Sequence, residues 1–261
     1  MKDVQNSRDH RGIEIQRVGV KEVHLPLRIV QRDGGVQSVL GNVTLSASLP
    51  RDFRGTHMSR FLEVLTRWSQ EGLSSGRMKA VLAEVCDRLA ARRAEMVIRF
   101  KYFLPRTAPV SRQVSFLDYD CEFAAALEGG QFTFTLGVEV PVTTLCPCSR
   151  EISAVGAHNQ RAVVRVRLRS RSGEYPWIED VVELVEPRGS SEIYPLLKRE
   201  DEKFVTEKAY RNPKFVEDVV RDVVLALRQD PRLTWFEVEA ESYESIHNHS
   251  AFAYFKEGDG C

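Results

Sequence analysis

Apolar residues recur along this chain with two periods, two and about 3.6, and the switches between them mark strands and helices. Residues 19–30 alternate loosely in Val, Leu and Ile, and residues 41–49 (Gly-Asn-Val-Thr-Leu-Ser-Ala-Ser-Leu) alternate strictly. Both predict strands, and Gln31-Arg32-Asp33-Gly34-Gly35 between them is a hairpin signal. Met58, Phe61, Leu62, Val64, Leu65 and Trp68 then follow at helical spacing. Ser74-Ser75-Gly76 interrupts that spacing, and a second helix runs through Met78, Val81, Leu82, Val85 and Leu89. Strand patterns return at 95–104 and 113–124, so the first half reads β-β-α-α-β-β.

The second half repeats the order. Residues 131–142 and 161–169 predict strands; the latter, Arg-Ala-Val-Val-Arg-Val-Arg-Leu-Arg, has one face to bury and one to solvate. Helices are predicted at 177–185 and after Pro213, through Phe215, Val216, Val219, Val220, Val223, Val224 and Leu227, with Pro231 closing the second. Strands at 234–240 and 251–255 complete the pattern. The halves share this order with little sequence identity, which predicts an α+β fold built from two similar units.

Composition narrows the function classes. Of 261 residues, 43% are hydrophobic, as in an ordinary globular protein. Lys+Arg and Asp+Glu both number 37, so the formal net charge is zero and the bulk electrostatic case for nucleic acid or a membrane surface is absent. The first dozen residues are polar, with no apolar core of a signal peptide, and no run approaches the ~18–20 apolar residues of a membrane span. A cytoplasmic protein is expected, with no nucleic-acid or membrane partner. Five cysteines, Cys86, Cys121, Cys146, Cys148 and Cys261, are an odd and uneven set, poor for a disulfide scaffold. They are expected as thiols or metal ligands.

The densest chemistry is Leu145-Cys146-Pro147-Cys148-Ser149, continuing to Gly156-Ala157-His158-Asn159-Gln160-Arg161. Cys146 and His158 are joined by a loop short enough to converge on one ion; two buried thiols in a tight turn is the plainer alternative. In Glu241-Ser242-Tyr243-Glu244-Ser245-Ile246-His247-Asn248-His249 the two histidines share a face of an extended segment, with Glu244 nearby. Alone it reads as a solvated loop. Together the two segments favour a site of thiolate, imidazole and carboxylate, which suits Zn²⁺ and admits Mn²⁺ or Fe²⁺. Paired Cys-x₂-Cys knuckles of a zinc ribbon are absent. The charge run Lys198-Arg199-Glu200-Asp201-Glu202-Lys203 is either a solvated helix start or, beside Pro195-Leu196-Leu197, a pocket wall. Glu217 sits at the edge of an apolar helix face, where exposure is the default. His57 and Arg60, at the start of the first helix, suit phosphate oxygens, while Thr56 suits an N-cap.

These motifs, with Arg54-Gly55-Thr56-His57-Met58-Ser59-Arg60-Phe61 and Ile246-His247-Asn248-His249, resemble the GTP cyclohydrolases of the type IB class over nearly the whole chain. The resemblance implies a tunnelling fold of two tandem β-β-α-α-β-β units, residues 1–128 and 129–261, in one continuous bimodular domain, each an antiparallel sheet with helices on one face. It implies metal-dependent hydrolysis of GTP at C8, giving formate and 7,8-dihydroneopterin triphosphate, the first step toward tetrahydrofolate. By position it implies a divalent metal held by Cys146, His158 and Glu200, with Glu244 and His247 able to complete the sphere. It makes Cys148 an essential position, Glu217 the anchor of the guanine edge and His249 a candidate for proton transfer. His57, Arg60, Lys198 and Arg199 are unranked candidates for the triphosphate. A homotetramer with shared active sites is expected. Other readings are a related cyclohydrolase forming a cyclic phosphate, a tunnelling-fold nitrile reductase with a nucleophilic cysteine, and a non-catalytic metal-dependent binding protein.

Overall fold

The two periodicities become long strands and short helices. A computed structural model describes residue 5 and residues 7–171 and 174–258, so Cys261 lies outside the described residues. The elements are β1 (Ile15–Val30), β2 (Val36–Leu49), α1 (Met58–Trp68), β3 (Gly72–Leu73), α2 (Ser75–Leu89), β4 (Arg93–Thr107), β5 (Val114–Glu128), β6 (Gln131–Leu145), α3 (Pro147–Ile152), β7 (Asn159–Ser170), α4 (Ile178–Val185), a 3₁₀ turn (Glu186–Arg188), β8 (Ser191–Glu192), α5 (Arg199–Arg211), α6 (Val216–Leu227), β9 (Leu233–Ser242) and β10 (Ala251–Glu257). The chain is α+β, with a large, mainly antiparallel sheet. By contact it divides into two units, residues 1–101 with 122–135 and residues 102–121 with 136–261. The division falls inside β4, β5 and β6. Among the described residues no helix is long and apolar enough to cross a membrane.

In the first unit β1 and β2 pair antiparallel through a hairpin, β2 pairs with the start of β4, and β3 adds a short parallel contact to β1. Alternation is obeyed: Val43, Leu45 and Ala47 of β2 and Ala94, Met96 and Ile98 of β4 are buried. Phe61, Val64 and Leu65 of α1 and Met78, Val81, Leu82 and Val85 of α2 supply the helical side of that core.

In the second unit β6, β7, β9 and β10 pair successively antiparallel, and β8 caps the far edge of β6. Its core is rich in valine: Val138, Val140 and Val142 on β6, Val164 and Val166 on β7, Val238 on β9, beneath Val182 and Val185 of α4 and Val219 and Val223 of α6. The opposite face of β7 carries the expected arginines. Arg165 bonds Glu239 at 2.9 Å and Glu241 at 2.8 Å, and Arg167 bonds Glu237 at 2.9 Å.

Three helices begin alike. Asp180, Asp201 and Asp218 at the third helical position accept from the backbone N–H of Trp177, Lys198 and Phe215, satisfying one orphan donor each. Asp201 is fully buried and also accepts from the N–H of Val110 and Ser111 and from Ser111 Oγ. Those donors hold its carboxyl well below the usual carboxylate range.

Two helices have no apolar period: α3 is absent from the sequence pattern, and α5 follows the solvated helix start read at the charge run 198–203. α5 is charged along most of its length and buries only Asp201 and Ala209, so it has no apolar stripe to read. α3 has six residues and buries none; it forms because Pro147 presets the first turn and Cys146 caps it.

Glu186, 8% exposed, accepts from Tyr119 Oη at 2.6 Å and Arg106 Nε at 3.0 Å. Burial raises its pKa above the ordinary 4.5 by more than these donors lower it. The folded state therefore holds this proton more tightly than the unfolded state. The contribution is fully present below pH 4.5 and is lost as pH rises through the raised value. Glu186→Gln keeps an acceptor and removes the titration. The unfolding free energy of wild type minus that of the variant is expected to fall as pH rises above 4.5 in urea titrations; a pH-independent difference contradicts the assignment.

Candidate functional site

The second unit has a cleft of ≈ 290 Å³ where β6 ends and β7 begins. Its wall contains Cys146, His158, Glu244, His247, His249 and Glu217, together with Thr144, Gln160, Lys214, Phe215, Val216, Ser242, Ala251 and Phe252.

Backbone pairing puts the first two there. Leu145 and Asn159 are partners in the β6–β7 register, and one step further the Cys146 N–H donates to the His158 carbonyl at 3.1 Å. The chain between them folds as α3 and a turn through Gly156, whose φ of +74° suits glycine. Ser149 ties the loop at both ends: its N–H points to Cys146 Sγ at 3.4 Å, and its hydroxyl accepts the His158 N–H at 3.1 Å. His158 Nδ1 lies 3.0 Å from Gln160 Oε1.

The other walls arrive through topology. β9 pairs with β7 so that Ser242 stands opposite Ala162, and the Tyr243 N–H donates to the Arg161 carbonyl. That places Glu244 within 3.4 Å of Gln160 Nε2 and 3.2 Å of Ser242 Oγ. His247 and His249 follow in the exposed turn before β10, their rings stacked at 5.2 Å and 17°. The start of α6 is fastened by Lys214: its N–H donates to the Leu145 carbonyl, and its Nζ reaches Asp222 at 2.7 Å and the Arg188 carbonyl at 3.1 Å. Glu217, one turn further, is exposed.

The remaining candidates lie off this wall. Cys148 is exposed on α3. Lys198, Arg199 and Glu200 are exposed at the start of α5. His57 and Arg60 belong to the first unit, where Arg60 donates to the Arg88 carbonyl at 2.9 Å. Gln160, Lys214, Phe215 and Phe252 escaped the reading of the sequence as site residues. Gln160 lies in the Gly156-Ala157-His158-Asn159-Gln160-Arg161 motif, but only the β7–β9 pairing brings Glu244 to it.

The donor types fit a borderline divalent ion: one thiol, imidazoles and a carboxylate, with one imidazole already oriented by an amide. Among the described residues no three His, Cys, Asp or Glu side chains are drawn together tightly enough to enclose an ion. His247 and His249 stack on one another in an exposed turn instead of converging on Cys146 and His158.

The large, mainly antiparallel sheet with helices packed on it is an α+β fold shared with the uricases. A uricase from Arthrobacter globiformis superimposes with a TM-score of 0.57 at 10% identity, covering 94% of this chain and 93% of its own, a likeness of fold alone. The chain belongs to the family described as Type I GTP cyclohydrolase folE2, whose match spans residues 1–253. Relatives named GTP cyclohydrolase FolE2 include one from Geotalea uraniireducens, 51% identical over 97% of this chain and 92% of its own length. Another, from Magnetococcus marinus, is 49% identical over 99% and 96%.

Lys214 closes one side of the cleft with two polar contacts and is only 16% exposed. Lys214→Met preserves bulk and leaves the Arg188 carbonyl unpaired. The expected loss is about 1–3 kcal/mol of unfolding free energy, read by urea titration; an unchanged midpoint contradicts this fastening role.

Proposed function

We propose that the chain is a GTP cyclohydrolase I of the type IB class. It hydrolyses the cyclic amidine of guanine at C8, releases formate and yields 7,8-dihydroneopterin triphosphate for tetrahydrofolate biosynthesis. The observation that carries this reading is one cleft lined by Cys146, His158, Glu217, Glu244, His247 and His249, in a member of the FolE2 family. Cys146 and His158 would hold a divalent ion of zinc, manganese or iron, with Glu244 and His247 of the same cleft as further ligands and Glu200, exposed at the start of α5, as the third by family position. When bound, the ion supplies the Lewis acidity that makes water a nucleophile at neutral pH.

The chain's own groups do the rest. The Glu217 carboxylate accepts from N1–H and the 2-amino group of guanine, a bidentate pair that adenine does not offer. Phe215 and Phe252, 40% and 69% exposed, give the cleft aromatic walls for the base. Departure of C8 as formate requires a proton on the ring nitrogen, supplied by His249 or Cys148. The cleft is at the small end of the ~300–1,000 Å³ range of ligand sites, so the triphosphate extends beyond it. His57, Arg60, Lys198 and Arg199 receive it.

The element order supports two tandem tunnelling-fold units, residues 1–128 and 129–261: β1-β2-α1-α2-β4-β5 and β6-β7-α4-α6-β9-β10, with α3 and α5 added to the second. Such units close into a barrel as a homotetramer in the cytoplasm, with active sites shared between copies. Exposed apolar side chains away from the cleft such as Leu40 and Phe116, 68% and 65% exposed on strands, support burial by further copies.

Incubation of the metal-loaded chain with GTP is expected to release formate and give a pterin fluorescent after oxidation; absence of both rejects the reading. Glu217→Ala and Cys148→Ala are expected to fold, keep metal and lose turnover. For Glu217→Ala the loss of guanine recognition is on the order of 1–3 kcal/mol or more in kcat/KM for GTP over ATP. Retention of wild-type GTP preference removes Glu217 as the anchor.

Shared sites predict complementation. Inactive Arg60→Ala and Cys148→Ala chains, unfolded and refolded together, are expected to regain activity in mixed oligomers. A fully active species of 29.7 kDa contradicts the assembly.

A further inference from the structure

Gln160 stands between the two halves of the cleft. Its Oε1 is 3.0 Å from His158 Nδ1 and accepts from Ser245 Oγ at 3.4 Å; its Nε2 donates to Glu244 Oε1 and Thr144 Oγ1, each at 3.4 Å. The amide has two orientations related by a flip, and their chemistry is unequal. In the flipped form the amide oxygen faces the Glu244 carboxylate, and two acceptors oppose each other. Glu244 thus selects the orientation with NH₂ toward itself and oxygen toward His158. An oxygen at that position accepts only if Nδ1 carries hydrogen, and in a neutral ring that leaves the lone pair on Nε2.

We propose that Gln160 is a positioning residue that relays the Glu244 carboxylate to the tautomer of His158, holding the ring as Nδ1–H with Nε2 as the free electron-pair donor. The Ser242 hydroxyl, 3.2 Å from the same Glu244 oxygen, and Thr144 Oγ1, 3.3 Å from Ser242 Oγ, steady the far side of the relay. Thr144 and Ser242 are buried, at 2% and 1% exposure, so the relay has a fixed base on β6 and β9. The consequence for a divalent cation rests on the proposed metal reading: an imidazole in the correct tautomer binds without first moving a proton between its nitrogens. The tautomer itself is independent of that reading.

The experiment is long-range ¹H–¹⁵N spectroscopy of full-length, metal-stripped protein labelled at histidine nitrogen, at a pH where the ring is neutral, with Zn²⁺ titration in parallel. Wild-type His158 is expected as Nδ1–H. Gln160→Leu, without an acceptor, is expected to move it toward the Nε2–H form that free imidazoles favour and to weaken Zn²⁺ binding about 10–100-fold. Gln160→Glu supplies a carboxylate acceptor and is expected to keep the Nδ1–H form despite facing Glu244. A wild-type His158 carrying hydrogen on Nε2 overturns the proposal, and this needs no variant to fold. So does a Gln160→Leu protein whose His158 tautomer is unchanged. Tautomers that follow Gln160 in a wild type that binds no Zn²⁺ support the relay and reject the metal reading.

Discussion

The arrangement depends on one constraint, the antiparallel pairing that ends β6 and begins β7. Leu145 faces Asn159, and the next hydrogen bond, Cys146 N–H to the His158 carbonyl, closes the connection. A thiol and an imidazole twelve positions apart in sequence are thereby neighbours through the backbone ladder, whatever their side chains do. The connection must reverse the chain without leaving polar groups stranded. α3 takes up six residues, Gly156 takes the left-handed corner, and Ser149 donates its N–H to Cys146 Sγ and accepts the His158 N–H at its hydroxyl. Each of these residues serves the same pairing.

The second unit meets the cost of buried polar groups in two ways. Asp201 is surrounded by donors from two backbone amides, a hydroxyl and its own helix start, so its charge is retained without exposure. Glu186 has one strong cation and one phenol, and burial outweighs them. The difference is the number of donors, in keeping with the rule that hydrogen bonds to the charged form decide a buried carboxylate's state. Asp201 joins residues 110–111 to the start of α5, so the segment displaying the exposed Lys198, Arg199 and Glu200 is anchored from below.

Strands and the amphipathic helices were legible in the sequence because their apolar positions alone dictate a period. Residues 161–169 and the α6 valines are the clearest cases, and both elements lie where the pattern put them, within a few residues. α3 was not, because it is a capped turn; α5 was legible only as a solvated start at its charge run, because it buries just Asp201 and Ala209 and has no apolar stripe. Cys146, His158, Glu244, His247 and His249 were legible as donor types, and the cleft gathers all five. Gln160, Lys214 and Phe252 carry no such label. Gln160 matters only once β9 lies beside β7, Lys214 only once α6 abuts the end of β6, and Phe252 only once β10 turns back along β9. Their roles are products of topology, and a one-dimensional pattern does not encode which strand becomes whose neighbour.

The same contrast separates two kinds of residue in the cleft. Cys146, His158, Gln160 and Glu244 are fixed by strand pairing or by hydrogen bonds to buried groups. His247 and His249 lie in an exposed turn and contact each other, and Glu217 is exposed on the first turn of α6. A cleft in which every group was prearranged would bind ion and substrate at least conformational cost, but it would also have to expose a converged set of charges to water beforehand. Here only the half that holds Cys146, His158, Gln160 and Glu244 is built in. Ordering the exposed half is a cost drawn from binding itself, and it falls on side chains that have few contacts to lose. On the proposed reading, this division lets one site accept ions of differing size while the orientation of its imidazole stays constant.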